Sequence, residues 1–489
     1  MNLQPKKELT EAEIQRSLRF VIGDGLTTEA MTVLTGGAFL VAMALLMGAN
    51  NFEIGFLAAL PTFTNIFQLI SIWLVRRFNN RRLIAVVCSL LARAPLVIIS
   101  SLLLLFPMST TIEVLIFFLC FYYLFGSIAG PSWNSWMKDL VPEKSLGAYF
   151  SRRSRLTQTL NVILSILIAL LLDYIKKYYP QYQLYAYAGM FAAGGMIGIT
   201  GAFILSRASE PQGVLLHDNI FRLLKRPLKD SNFRRLLMFN SAWVFALNIA
   251  TPFFTVFLLK SLGIALSYVI LLGIISQVGS ILTIRLWGTF ADRYSNKTII
   301  AICAPLYIGC FVAWCFVGIY THMYVNMALL VLIYIFTGIS TAGINLSLIN
   351  IGLKLAPREE SIVYLSAKNV ITAFFSSVAP LIGGYLADFF TNRHLNVRIE
   401  WGGPRVTKVF RLLELHEWNF LFLIAALLAL VALELLVPVK EAGEVEKEDV
   451  RRILRKSVRG SLKEYFLIGH LIGWQQQLWS IIKKSLPYK

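Results

Sequence analysis

Trp287-Gly288-Thr289-Phe290-Ala291-Asp292-Arg293-Tyr294-Ser295-Asn296-Lys297 is a short charged turn set between two apolar runs, 265–287 and 298–320. Each run has the length of one bilayer crossing, which takes about 20 apolar residues. A turn joining two such crossings needs certain properties, and this one has them. Its glycine lets neighbouring helices approach closely, and its aspartate can cap a helix or pair with an arginine. Its basic residues favour the cytoplasmic side of a membrane. Outward from this turn the same alternation of apolar run and charged turn continues in both directions.

Twelve crossings are predicted, at 26–49, 54–75, 83–107, 112–137, 153–172, 184–206, 236–259, 265–287, 298–320, 325–351, 362–388 and 418–438. With 57% hydrophobic residues, only 15% charged residues and a mean hydropathy of +0.65 over 489 residues, a soluble domain is excluded. The net charge of +19 is not a nucleic-acid footprint, because the basic residues cluster between apolar runs. Arg76, Arg77, Arg81 and Arg82 follow the second crossing, and Lys138, Lys144, Arg152 and Arg153 follow the fourth. Arg222, Lys225, Arg226, Lys229, Arg234 and Arg235 follow the sixth. An even number of crossings with this bias puts both termini in the cytoplasm of a multi-pass plasma (inner) membrane protein. The N-terminus has no cleavable signal pattern, and Cys88, Cys120, Cys303, Cys310 and Cys315 lie inside apolar runs at no metal spacing.

The chain also repeats itself. Leu140-Val141-Pro142, Tyr149, Ser151, Arg153 and Thr157 return as Leu355-Ala356-Pro357, Tyr364, Ser366, Lys368 and Thr372, a shift of 357 − 142 = 215 positions. The same shift carries Asp173 onto Asp388. Two six-helix halves, 26–206 and 233–438, are thus expected on either side of a cytoplasmic linker at 207–232. A cytoplasmic segment, 1–25, precedes them, and an amphipathic cytoplasmic tail, 439–489, follows. Within the loop 391–417, Val397, Ile399 and Trp401 alternate with polar residues before Gly402-Gly403-Pro404, which predicts a β-hairpin.

At Gly288, Ala291, Asp292, Arg293 and Lys297 the opening stretch resembles the cytoplasmic-loop signature of the major facilitator superfamily. Residues 133–143, 147–153 and 379–388 resemble a bacterial permease subgroup of that family without assigned substrate. The resemblance covers nearly all of 18–438 and implies an all-α membrane protein of twelve transmembrane helices in two pseudo-symmetric halves that rock about a midplane site. One departure stands out. The matching first-half loop, Leu74-Val75-Arg76-Arg77-Phe78-Asn79-Asn80-Arg81-Arg82, lacks both the glycine and the aspartate.

Polar groups are costly in lipid and turn towards a cavity or a neighbouring helix. Asn65 and Gln68 in the second crossing, Asn240 and Asn248 in the seventh, Gln277 and Ser280 in the eighth, and Asn345 in the tenth are candidates for a substrate cavity between the halves. Each of these is equally suited to tying two helices together. Arg93, ten residues into the third crossing, is either a tie to a carboxylate or a substrate ligand. Lys368, beside Asn369 in the eleventh, is either an anion-binding group or a lysine reaching back to the interface. Trp133 and Trp136 are expected as interfacial anchors. Glu29 and Asp24, at the start of the first crossing, are the carboxylates best placed to couple transport to protons, with Glu29 the deeper. Gly288, Asp292, Arg293 and Lys297 form the expected conformational loop.

No zinc-spaced ligands, phosphate-cradling loop or nucleophile elbow is present, so no enzymatic, metal or cofactor chemistry is expected. The function expected is secondary transport of a small solute by a monomer in the lipid bilayer, with protons as partner and no nucleic acid. The alternative is a non-transporting protein of the same fold that binds a lipid or a protein partner.

Overall fold

A computed structural model describes residues 4–6, 9–107, 110–142, 145–212, 226–318, 322–357, 361–402 and 407–441. The predicted amphipathic tail from 442 onward and the middle of the linker, 213–225, lie outside these residues. Besides short turns at Pro180–Tyr182 and Arg226–Lys229, twelve helical segments follow one another among the described residues: α1 (Glu11–Leu46), α2 (51–78), α3 (Arg81–Leu105), α4 (Ile112–Leu140), α5 (Leu146–Tyr178), α6 (Gln183–Leu205), α7 (Ser231–Ser261), α8 (Leu266–Arg293), α9 (Asn296–Trp314), α10 (Met323–Leu355), α11 (Ser361–Phe390) and α12 (Trp418–Glu434). Ten are long and apolar enough to cross a bilayer. Of the other two, α12 has 17 residues, and α2 is interrupted.

The interruption in α2 follows from its sequence. Pro61 has no N–H to give the helix ladder, and the chain tightens into a 3-10 turn at Thr64–Phe67 before resuming at Gln68. A second break, in α1, falls at Gly36-Gly37, where Gly37 takes a φ of +56° that a residue with a Cβ adopts at a cost.

Helix packing repeats with the sequence. In the first half α1 packs on α5 and α6, α3 on α4 and α6, and α2 on α4. In the second half α7 packs on α11 and α12, α9 on α10 and α12, and α8 on α10. Each pair has its counterpart. The halves meet through α2 against α11 and α5 against α8.

These cross-half contacts are polar at the end away from the basic loops. Asp388 at the end of α11 accepts hydrogen bonds from the Asn51 amide N (3.2 Å), Asn51 Nδ2 (2.8 Å) and the Phe52 amide N (2.9 Å) at the start of α2. Its repeat mate Asp173, at the end of α5, accepts from the Leu266 and Ser267 amides (3.0 and 2.9 Å) at the start of α8. Both carboxylates cap a helix N-terminus of the opposite half, where free N–H groups and the helix dipole favour an anion. A Cβ on Gly384 would lie 2.6 Å from the Asn51 carbonyl oxygen, so α2 and α11 touch backbone to backbone. At this end the expected hairpin forms from β1 (His394–Gly402) and β2 (Thr407–His416), antiparallel with a bulge between Val397 and Arg398.

At the basic end carboxylates tie each half to itself. Glu210, beyond α6, accepts from the Arg81 amide, Arg81 Nε and the Arg82 amide, each at 3.0 Å. Glu441, beyond α12, accepts from Asn296 Nδ2 (2.7 Å), the Lys297 amide (2.8 Å) and Lys354 Nζ (2.9 Å). Arg81 also pairs with Asp139 at 2.5 Å, so the first-half loop that lacks the signature aspartate is held by an arginine instead.

Candidate functional site

A cavity of about 410 Å³ opens inside the first half, lined from α1 to α6. That is within the range of about 300–1,000 Å³ seen for small-molecule sites. The break in α2 supplies one wall: Thr64, Asn65 and Gln68 face it, with Gln68 Nε2 donating to Asn65 Oδ1 at 3.0 Å. α4 contributes Tyr122, Tyr123, Trp133 and Asn134. The floor is ionic. Arg93 of α3 and Asp24 of α1, both buried, pair at 3.3 Å between Nη2 and Oδ1.

Such a pair is costly to bury and survives only when its remaining valences are met. Arg93 also donates to Thr28 Oγ1 (2.8 Å) and to the Gly198 carbonyl (2.5 Å). Its room comes from α6, whose Gly198 and Gly201 present no side chain. A Cβ on Gly198 would come within 3.2 Å of Arg93 Cδ, and one on Gly201 within 3.2 Å of Arg93 Nη1. That glycine pair, on a helix that reads as purely apolar, is the sequence signal that marks where the buried arginine lies.

Arg153 of α5 forms the remaining wall. Its guanidinium carbon sits 5.0 Å from the Trp133 ring centroid, and its Nε would be 2.7 Å from a Cβ on Gly25. Trp136, expected at an interface, is fully buried and donates to the Ser209 carbonyl at 3.1 Å. Trp133 faces the cavity. Trp136 is thus enclosed by protein and is not placed as an anchor to lipid headgroups.

Asn65, Gln68, Arg93 and Asp24 are thus brought together. The other candidates stand elsewhere. Glu29 accepts from Asn161 Nδ2 at 2.7 Å, between α1 and α5. Asn240 donates to Thr372 Oγ1 (2.8 Å), and Asn248 to the Val244 carbonyl (2.9 Å) and Ser376 Oγ (3.3 Å), tying α7 to α11. Lys368 is buried and donates to the Leu348 carbonyl of α10 at 3.1 Å. Gln277, Asn345 and Asn369 are exposed, and Ser280 is half-buried.

In the loop that opens α9, Lys297 Nζ donates to the Val437 and Val439 carbonyls at 3.0 and 2.9 Å, while Asp292 and Arg293 are exposed. Gly288 does not mediate a close approach: a Cβ there would meet Leu346 at 3.9 Å, an ordinary contact. The tight contact of α8 with α10 falls instead at Gly279, 3.2 Å from the Ile335 carbonyl oxygen, and at Gly338 against Ser276. Trp287, one residue before Gly288, spans the gap to α10, its Nε1 donating to the Ile339 carbonyl at 2.9 Å.

The profile of the Major Facilitator Superfamily matches residues 26–361 and, in a second register, 236–486. Solved structures share the fold. The nucleoside transporter NupG superposes with a TM-score of 0.62 at 13% identity over 87% of this chain and 98% of its own. A bacterial homologue of the human lysosomal transporter Spinster, inward-facing, gives 0.57 at 16% identity over 78% and 84%. The xylose transporter XylE from E. coli, inward open, gives 0.57 at 13% over 90% and 99%. No curated protein sequence matches at a significant level. With a profile match across nearly its whole length and this fold, the chain belongs to the Major Facilitator Superfamily of membrane transporters.

Proposed function

We propose that this transporter moves a small solute by alternating access, using the first-half cavity as its substrate site and Asp24 as its proton site. The cavity with a buried Asp24–Arg93 pair on its floor carries this reading. The hairpin end is joined across the halves by Asp173 and Asp388, which supports a state closed at that end. The basic end faces the cytoplasm of the plasma membrane in this reading, and Asp292 engages when that end closes. The protein works as a monomer.

Proton coupling has a simple electrostatic form. The charged or titratable groups around Asp24 are Arg93 on α3, Arg153 and Tyr149 on α5, and Tyr122 and Tyr123 on α4. A proton taken up by Asp24 removes the only carboxylate lining the cavity among the described residues and leaves Arg93 with a free valence. Glu29, held by Asn161, is the second candidate for the same role. An apolar cavity would have favoured a lipid- or partner-binding role without transport, and this one carries ionic and amide groups.

The test uses proteoliposomes holding the purified full chain and a pH-sensitive dye. Nucleosides, monosaccharides, dipeptides and monocarboxylates are offered under an imposed pH gradient. At least one class should drive proton movement that Asp24→Asn abolishes and Glu29→Gln retains. Solute flux with the parent's full gradient dependence in both variants removes both residues from the proton path. Absence of flux for every class favours the non-transporting role.

A further inference from the structure

We infer that the cavity selects an organic monocarboxylate, whose acid group binds in the corner formed by Arg153 and Trp133. Three observations converge there. First, Arg153 and Trp133 line one cavity and stack on each other, while Arg153 Nε and Trp133 Nε1 have no hydrogen-bond partner among the described residues and lie just beneath the cavity wall, so an acceptor reaches them when the stacked pair shifts. Buried donors without acceptors are costly, at about 1–3 kcal/mol each, and rare enough to need a reason. A guanidinium and an indole N–H are donors only, so what they lack is an acceptor group, and a carboxylate offers two oxygens.

Second, the charges leave one place for an anion. Arg93 and Arg153 are two cations, and Asp24 is the single carboxylate lining the cavity among the described residues. With Asp24 ionised, the surplus of one positive charge matches one acid group of charge minus one rather than a phosphate ester, which carries nearly two. Third, the repeat mate behaves differently. Lys368, 215 positions on from Arg153, donates a hydrogen bond to the carbonyl of Leu348, which is the mate of Trp133. The second half satisfies its cation internally, and the first half leaves its cation for a ligand. The amides of Asn65, Gln68 and Asn134 and the rings of Tyr122 and Tyr123 line the volume left for the body of the molecule.

This inference rests on the transport reading only in taking the cavity as the substrate site. Binding alone tests it. The purified full chain is melted in detergent with benzoate, benzamide or benzylamine, three molecules that share a ring and differ in charge, and with acetate and hexanoate. Carboxylates should raise the melting temperature in a concentration-dependent way, and benzamide and benzylamine should not. Arg153→Gln should weaken carboxylate binding on the order of tenfold or more, and Trp133→Phe, which keeps the ring and loses the N–H, should weaken it several-fold. Ligand-free melting curves for both variants check that they fold, and Trp133→Phe keeps the test open should Arg153→Gln not fold. Equal stabilisation by the three ring probes overturns the inference, as does undiminished benzoate binding in both variants. Carboxylate binding without flux would leave this inference standing and remove transport; flux of a neutral solute with no carboxylate binding would do the reverse.

Discussion

The two six-helix halves share helix order and packing partners, yet their interiors were filled in opposite ways. At the positions 215 on from Asp24 and Arg93 stand Phe239 and Ile308, both buried. Thr28 becomes Trp243, Ser89 becomes Ala304, and Ser127 becomes Ala342. Where the first half is hollow and ionic, the second is packed with rings: Phe239 on Trp243 (6.2 Å), Trp243 on Tyr307 (6.3 Å), Tyr307 on Phe311 (5.3 Å) and Phe254 stacked on Trp314 (4.3 Å). The lesson is a division of labour. A duplicated scaffold keeps its helix contacts, which are set by small residues and apolar faces. In the proposed reading only the copy that holds the ligand needs polar valences, and the other is free to fill with rings.

The sharpest way to break this comparison is to exchange the two interiors. Asp24→Ala leaves Arg93 buried without its carboxylate and should destabilise the protein by about 3–5 kcal/mol, read as loss of monodisperse folded protein in size-exclusion profiles. The double change Asp24→Phe with Arg93→Ile copies the second half. It should recover much of the folded yield and abolish transport. Transport that survives the double change would show that the ionic floor is not what separates the halves.

A smaller effect is expected from the paired carboxylates at the basic end. Glu210 is buried with Arg81, whereas the partner Lys354 of Glu441 is half in solvent. Glu210→Gln should therefore cost about 3 kcal/mol, against about 1–2 kcal/mol for Glu441→Gln. The second value depends on pH. Burial pushes the Glu441 carboxyl up, but hydrogen bonds from Lys354, Asn296 and the Lys297 amide outweigh that and hold it below the usual carboxylate range. Its folded value is thus lower than its unfolded one. The stabilisation is present at neutral pH and is lost as the pH falls through the folded value. Melting curves of parent and Glu441→Gln should differ at pH 7 and converge in acid; a gap that persists would mean the contact is not ionic.

Smallest of all should be the difference between the mates Asp388 and Asp173, which accept three and two hydrogen bonds across the halves. Asp388→Asn should open the hairpin end more often than Asp173→Asn, by roughly the several-fold that one ordinary hydrogen bond supplies. Distances between spin labels on the two halves measure this, and equal populations would remove the ranking.

Much of this was legible in the order of residues, and for a physical reason. Lipid offers the backbone no hydrogen bonds, so a chain of this hydropathy must cross as helices, and run length counts them. The shift of 215 then implied two halves, and turn residues around Gly402 marked the hairpin. Lys297, in the opening stretch, does hold its loop, but through the carbonyls beyond α12. What linear order could not decide is which polar residue meets which. Asn240 and Asn65 look alike in sequence, yet one ties α7 to α11 and the other faces a cavity. Arg153 and Lys368 occupy matching positions, and only their neighbours, Trp133 in one case and the Leu348 carbonyl in the other, make one satisfied and the other not. Helix membership is a local property set by solvent. Satisfaction of a buried polar group depends on contacts between helices far apart in sequence, and those exist only once the bundle has closed.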